Sequence, residues 1–222
     1  MKRNNHLRIG IAVGLLGSFA VWTGLIRSVD LRPIGPQDTY VGLASLNGAF
    51  HRLTGVHLFL YELTDLLSVL PLGIVIFFAI TGLIQWIQRK SILKVDRSIL
   101  VLGGFYAVVI AAYGLFQKVI MNYRPILING QTEASYPSST TVLVLCVMIT
   151  ALLQLKQRVK KQWIFTVLAV LILGFSLFMV VGRMLSGVHW LTDIIGGLLL
   201  SAGLIALYCW AIHLFTDASF GS

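Results

Sequence analysis

The segment VGRMLSGVHWLTDIIGG, from Val181 to Gly197, holds three ionisable groups between two apolar flanks. His189 and Asp193 are four residues apart, so on a helix they lie on one face within contact distance. A carboxylate beside an imidazole fixes its tautomer and supports the imidazolium form, and the other ring nitrogen is then free to act as a nucleophile. Arg183 offers a planar fork of donors that suits phosphate oxygens. Each residue alone is commonly structural, but the three together indicate a phosphate site.

A second polar segment, QKVIMNYRPILINGQTEASYPSSTT, covers residues 117–141. Arg124 precedes a proline in this segment, and Lys118 lies nearer the preceding apolar stretch; alone, both are equally well explained as side chains that snorkel to a membrane interface. In YPSSTT, the proline suits a helix start and Ser138 or Ser139 suits its cap. A helix N-terminus offers free N–H groups and the positive end of its dipole to an anion. Because arginine, lysine and helix amides can hold oxyanions, we expect no metal and no cofactor.

The elements that position these residues must cross a membrane. Of the 222 residues, 57% are hydrophobic and 11% are charged, whereas a soluble domain has about 45–50% and about 25%. A membrane-spanning helix needs about 20 apolar residues. The sequence contains six such stretches, at about 9–26, 56–87, 99–120, 138–155, 163–181 and 189–215. We therefore predict an all-α fold, a six-transmembrane helical bundle that forms a single membrane domain over residues 1–222.

The distribution of Lys and Arg predicts the orientation of this bundle. With the N-terminus inside, eleven of the seventeen Lys and Arg residues fall in cytoplasmic segments, as the positive-inside rule requires. We therefore expect a multi-pass cell-membrane protein with both termini in the cytoplasm and outer loops at about 27–55, 117–137 and 182–189. The net charge of +9 is explained by this topology, so no nucleic-acid partner is expected.

Two further features lie on the predicted outer side. An amphipathic helix on the membrane surface is predicted by the helical spacing of Leu43, Leu46, Phe50 and Leu53. Glu62 and Asp65, three residues apart in the second span, lie on one helix face. Because ionisable groups within a membrane are expensive, this pair is expected either to contact one of the basic residues described above or to cap a polar pocket.

The polar segments and the six spans together resemble the type 2 phosphatidic acid phosphatase superfamily, the lipid phosphate phosphatases. The family has three motifs: Lys, six residues and Arg-Pro; Pro-Ser-Gly-His; and Ser-Arg, five residues, His, three residues and Asp. The segment GRMLSGVHWLTD matches the third motif with Gly182 in place of Ser, and NYRP and PSST precede it in the expected order. The resemblance implies a helical bundle that hydrolyses a lipid phosphate through a phosphohistidine.

By position, the resemblance implies a role for several residues. His189 corresponds to the nucleophile that becomes the phosphohistidine, and Asp193 corresponds to the carboxylate that orients it. Arg124 and Arg183 correspond to the phosphate clamps. Ser139 stands at the family's glycine, which offers a backbone N–H to the phosphate.

Two positions depart from the family pattern. The lysine of the first motif falls at Gln117, and Lys118 is one place late, which is about 100° of rotation on a helix; either residue is left as the candidate. The second motif's histidine, which protonates the leaving group, is replaced by Thr140. A threonine hydroxyl can donate a hydrogen bond to phosphate but cannot act as a general acid near pH 7.

Three interpretations of Thr140 follow. Another residue on the outer side donates the proton, the candidates being His51, His57 and Glu133. Alternatively, the leaving group is itself a phosphate, which needs little protonation because its second pKa is about 6; this favours a polyprenyl diphosphate as the substrate. In the third interpretation, the protein is a catalytically weak or inactive member that binds, transfers or transports lipid phosphates.

Overall fold

The computed structural model describes residues 2–217 of the chain and side chains over residues 5–215. Its helices are α1 (Lys2–Ser28), α2 (Ala44–Thr54), α3 (Leu58–Leu67), α4 (Val69–Arg89), α5 (Arg97–Lys118), α6 (Ser139–Arg158), α7 (Gln162–Leu185) and α8 (Leu191–Asp217). Within the described residues, six stretches are long and apolar enough to cross a membrane, at 5–28, 58–89, 97–118, 139–158, 162–185 and 191–215. The prediction of an all-α bundle with six spans is therefore confirmed.

Helix α6 lies at the centre of the bundle. More than half of its apolar window, 56%, is buried inside the protein, a larger share than in any other described span. It packs against α4, α5, α7 and α8, while α1 packs along α8. Leu102, Cys146, Val147 and Tyr208 are among the residues of the apolar core between these helices. The N-terminus of α6 is thus surrounded by the helices that carry the other polar residues.

The second predicted span is one membrane-crossing stretch made of two helices. The break lies at Ser68, between α3 and α4, and the Ser68 hydroxyl donates a hydrogen bond to the carbonyl oxygen of Asp65 at 2.6 Å. Pro71 follows three residues later; it has no N–H and its ring clashes with the carbonyl of Leu67, which interrupts a continuous helix. Helix α3 packs against α7.

The predicted amphipathic helix is α2. Leu46 and Leu53 are exposed, whereas Ala44 and Asn47 are buried on the opposite face. The Asn47 side chain binds Thr192 twice: its amide donates to the hydroxyl at 2.9 Å, and its oxygen accepts the backbone N–H at 3.2 Å. Helix α2 therefore holds the start of α8 with its polar face, and its position on a membrane surface stays a prediction.

The connection between α5 and α6 contains a short antiparallel hairpin. Isolated bridges pair Tyr123 with Ala134 and Ile128 with Gln131. The two residues at the tip, Asn129 and Gly130, both have positive φ, 51° and 77°. This is the conformation of a type I′ turn, which Asn-Gly favours. The hairpin fixes the position of Arg124 on its first arm.

Candidate active site

His189 lies in the short connection between α7 and α8 and is almost fully buried. The connection is held from outside by the end of α2 and the residues after it: the Ser186 carbonyl accepts the backbone N–H of His57 at 3.0 Å, and the Gly187 carbonyl contacts Nε2 of His51 at 3.1 Å. Gly187 has φ +72°, and a Cβ there would lie 2.3 Å from the carbonyl oxygen of Gly55. Only glycine fits at that position.

His189 and Asp193 are brought together as predicted, although His189 itself precedes the helix. Nδ1 of His189 lies 3.8 Å from Oδ2 of Asp193, which is an ion-pair distance and too long for a hydrogen bond. The Asp193 carboxylate is fixed by the backbone N–H of Trp190 at 2.9 Å and by the side-chain amide of Asn122 at 3.1 Å. Since the carboxylate lies on the Nδ1 side of the ring, Nε2 is the nitrogen available for attack.

The surroundings of His189 keep its imidazole neutral at pH 7. Burial, the largest cause, lowers the pKa of His189 to about 4 from its ordinary 6.5, and the positive charges of Arg183 and Arg124 act in the same direction, while Asp193 opposes them. Nδ1 and Nε2 are both buried and make no hydrogen bond to the described protein. A neutral, unpartnered Nε2 has its lone pair free to act as a nucleophile.

Arg183 is held by one face of α3. Its Nη1 donates to the carbonyl oxygen of Tyr61 and to the hydroxyl of Thr64, each at 3.3 Å, and its Nη2 lies 3.6 Å from the carboxylate of Asp65. The expected contact between an acid of the second span and a basic residue of the site is thus present, and Asp65 makes it. Gly182 stands where the family pattern has serine. The structure gives a reason for the glycine, because a Cβ at this position would lie 2.9 Å from the Thr64 methyl group.

Arg124 reaches the same place from the hairpin. Its backbone N–H donates to the Glu133 carbonyl at 2.9 Å, and its Nε lies 3.1 Å from the Glu133 carboxylate without hydrogen-bond geometry. The guanidinium carbons of Arg124 and Arg183 lie 5.7 Å and 4.8 Å from the centre of the Tyr61 ring. The two arginines therefore share one aromatic neighbour beside His189.

The three side chains leave several buried nitrogens unpartnered in one region. Nε and Nη1 of Arg124, Nε of Arg183 and both ring nitrogens of His189 make no hydrogen bond to the described protein. Buried polar atoms are normally hydrogen-bonded, and each one left without a partner is destabilising. Because most of these atoms are cationic donors, an anion with several oxygens is the kind of ligand that satisfies them.

The N-terminus of α6 adjoins this region. Ser138 precedes the first helical residue and is fully buried; its backbone N–H donates to the Asp193 carbonyl at 3.0 Å, and its hydroxyl accepts a hydrogen bond from Thr141 at 3.0 Å. Ser138 makes no side-chain cap, so the predicted capping bond is wrong for this residue. The amides of Ser139 and Thr140 then face no side-chain acceptor from Ser138 and remain candidates to bind an anion.

The family model of the PAP2 superfamily matches residues 72–217 of the chain. The chain belongs to the PAP2 superfamily. A similar fold is found in the crystal structure of a transmembrane PAP2-type phosphatidylglycerolphosphate phosphatase from Bacillus subtilis, with a TM-score of 0.63 and 17% identity over 90% of this chain and 94% of that one. No curated protein matches the sequence. At this identity the structural likeness shows the fold alone.

The two departures from the PAP2 pattern meet in one cavity. Gln117, Ser139 and Thr140 line a cavity of about 420 Å³, together with Asp65. Its remaining wall is largely apolar and is formed mainly by α5, by residues 134–137 before α6 and by α6 itself; Ile110, Phe116 and Leu143 belong to it, and Leu72 of α4 completes it. Lys118 is exposed and does not line this cavity. Gln117 therefore lies on this cavity and Lys118 does not, while His189, Arg124 and Arg183 are not among the residues that line it.

The candidates for the missing acid contact the connection that carries His189 or the hairpin that carries Arg124. His51 contacts the Gly187 carbonyl, His57 contacts the Thr54 carbonyl at 2.8 Å, and Glu133 is paired with Arg124. None of these three lines the cavity that contains Thr140. Within the described residues, no group of three or more His, Cys, Asp or Glu side chains is placed to hold a metal ion.

Sequence reasoning missed two contributors to this PAP2 site. Asn122 holds the Asp193 carboxylate, and Tyr61 contacts both arginines. Asn122 is two residues before Arg124 in the polar segment, so its position beside the first motif was a usable signal. Tyr61 stands in an apolar stretch outside the matched residues 72–217, and nothing in its sequence context distinguishes it from a packing residue.

Proposed function

We propose that the protein is an integral membrane lipid phosphatase that hydrolyses a lipid phosphate or polyprenyl diphosphate through a phosphohistidine on His189. The single observation that carries this proposal is the set of buried nitrogens of His189, Arg124 and Arg183 that make no hydrogen bond to the described protein. A phosphoryl group between them would satisfy the guanidinium donors and bring its phosphorus to Nε2. Guanidinium groups and helix amides stabilise the charge of a phosphoryl transition state, so the proposed reaction is metal-independent.

The proposed reaction has two steps. In the first, the lone pair of Nε2 forms a bond to phosphorus while the bond from phosphorus to the leaving oxygen breaks, and that oxygen departs with the electron pair. In the second, water attacks the phosphohistidine, its proton is released, the N–P bond breaks and the electron pair returns to Nε2 as inorganic phosphate leaves. Asp193 supports the positive charge that the ring carries in the intermediate.

A diphosphate is the substrate that fits Thr140 best. The side chain at this position cannot protonate an alkoxide. A departing phosphate monoester needs little protonation, since its second pKa is about 6. The adjoining cavity, lined by Gln117 and Thr140 together with apolar residues of α5 and α6, suits a phosphate attached to a hydrocarbon chain.

The proposed location of the reaction is the outer face of the cell membrane. The connections around residues 29–57, 119–138 and 186–190 contact one another at one end of the bundle, as in the bonds of His57 to Ser186 and of Trp190 to Tyr123. The Lys- and Arg-rich segments lie at the opposite end, which the positive-inside rule assigns to the cytoplasm. Both termini then lie in the cytoplasm.

A second candidate function is a catalytically weak member that binds, transfers or transports lipid phosphates, and Thr140 is the observation that favours it. The two are distinguished by phosphate release from vesicles containing a lipid monophosphate or diphosphate with the same tail. We expect release by the wild type, with a higher kcat/KM for the diphosphate, and none by His189→Ala. Binding of both lipids without release by the wild type would contradict hydrolysis and support the second function.

A further inference from the structure

Tyr61 is placed between the two cationic side chains of the site. The guanidinium carbons of Arg183 and Arg124 lie 4.8 Å and 5.7 Å from the centre of its ring, inside the range of about 6 Å for a cation–π contact. The backbone carbonyl of Tyr61 also accepts a hydrogen bond from Arg183 at 3.3 Å. One residue of α3 thus contacts an arginine at the end of α7 and another in the hairpin.

These two arginines repel each other when no anion is bound. Each lies within electrostatic range of the other and of His189. Asp65 and Glu133 each approach one of them, at 3.6 Å and 3.1 Å, but both carboxylates are more than 40% exposed and are screened by solvent. The ring of Tyr61 is the contact common to both guanidinium groups, and its negative face attracts both of them.

We propose that Tyr61 is a positioning residue, whose ring holds Arg124 and Arg183 in the arrangement that receives one phosphoryl group. The inference rests on the proposed function, because it assigns the two arginines to a single phosphate. It adds a residue that lies outside the three family motifs and before the matched residues 72–217. The role belongs to the ring face, so it does not require the hydroxyl group.

The proposed role of the Tyr61 ring predicts different results for two substitutions. Tyr61→Phe keeps the ring and should bind inorganic phosphate and turn over substrate within about twofold of the wild type. Tyr61→Leu removes the ring; a desolvated cation–π contact accounts for up to about a 30-fold difference in an equilibrium constant, so we expect phosphate binding about 10-fold weaker. Since the arginines bind the ground state as well, KM should rise by a similar factor and kcat should change less.

The experiment measures the Kd of inorganic phosphate, kcat, KM and thermal unfolding for the wild type and each variant in the same vesicles. Tyr40→Leu is the control, because Tyr40 is exposed, does not line the adjoining cavity and is not the ring that either site arginine contacts. If Tyr61→Leu does not fold, a fluorinated phenylalanine at position 61, which keeps the ring shape and weakens the negative charge of its face, should still weaken phosphate binding.

The outcomes separate this inference from the proposed function. Weaker phosphate binding in Tyr61→Leu, with Tyr61→Phe and Tyr40→Leu near the wild type, supports the positioning role. A loss in Tyr61→Phe equal to that in Tyr61→Leu overturns it, since the hydroxyl would then be the active group. Wild-type affinity in Tyr61→Leu, or in the fluorinated variant, overturns it while leaving the lipid phosphatase in place. A wild-type protein that neither binds phosphate nor hydrolyses lipid phosphates overturns both.

Discussion

The buried position of His189 predicts an unusual acid limb in the pH profile. Its pKa is lowered to about 4, because burial disfavours the imidazolium ion and two arginines repel it. The nucleophile is active only when neutral, so activity should be retained as pH falls and be lost only near the shifted pKa. At pH 5.5, about 97% of an imidazole with a pKa of about 4 is neutral, against about 9% for an ordinary histidine with a pKa of about 6.5. The structure therefore predicts about 10-fold more activity at pH 5.5 than an ordinary histidine would give.

The assay is kcat/KM for phosphate release between pH 4 and pH 8 in vesicles. The substrate phosphate ionises near pH 6, so its own titration is measured separately and divided out. Arg124→Gln removes one of the positive charges that lower the pKa of His189. Its normalised acid limb should therefore move to higher pH, even though its overall rate falls. Two results would refute the proposal that burial and the two arginines lower the pKa of His189: a wild-type acid limb with its midpoint at pH 6.5, or an acid limb that does not move in Arg124→Gln.

Three further predictions test the leaving group, the topology and the support of the site. Thr140→His should raise kcat/KM for a lipid monophosphate more than for the diphosphate with the same tail, because only the alkoxide leaving group of the monophosphate needs a proton and general acid catalysis contributes about 10²–10⁴-fold. An equal change for both lipids would show that Thr140 does not mark the leaving-group position. A cysteine at Asn129, at the exposed hairpin tip, should react with an impermeant thiol reagent in intact cells, and reaction only after lysis would reverse the topology. Asn47→Ala should lower kcat by about 10-fold or more, because Asn47 holds Thr192 close to His189 and misplacement of a catalytic group by about 1 Å can lower the rate about 100-fold. An unchanged kcat in a folded Asn47→Ala variant would show that this support is not needed.

Much of the fold was predictable because membrane spans leave a strong signal. The six apolar stretches were located within a few residues of the helices observed, and the spacing of His189 and Asp193 predicted their contact. The break inside the second span was not predicted, although Pro71 supplies its physical cause. The Asn-Gly pair at the hairpin tip was a readable turn signal that went unused.

The contacts between distant helices were not predictable from periodicity. Asn47 and Tyr61 stand in segments whose pattern indicates only amphipathic or apolar helices, and their contacts with Thr192 and Arg183 depend on how α2 and α3 pack against α8 and α7. The choice between Gln117 and Lys118 could not be made from the sequence for the same reason. Sequence spacing left both residues open, and only the packing of α5 against its neighbours places Gln117 on the cavity.

The most direct test of the account is to find the phosphoryl group on the protein. Wild-type protein is mixed with a lipid diphosphate or monophosphate, quenched in alkali, in which phosphohistidine survives, and digested for mass spectrometry. The account predicts a phosphoryl group on His189, less of it in Asp193→Asn, and neither phosphoenzyme nor phosphate release in His189→Ala. Phosphate release at the wild-type rate by His189→Ala, or a phosphoryl group on a different residue, would contradict it.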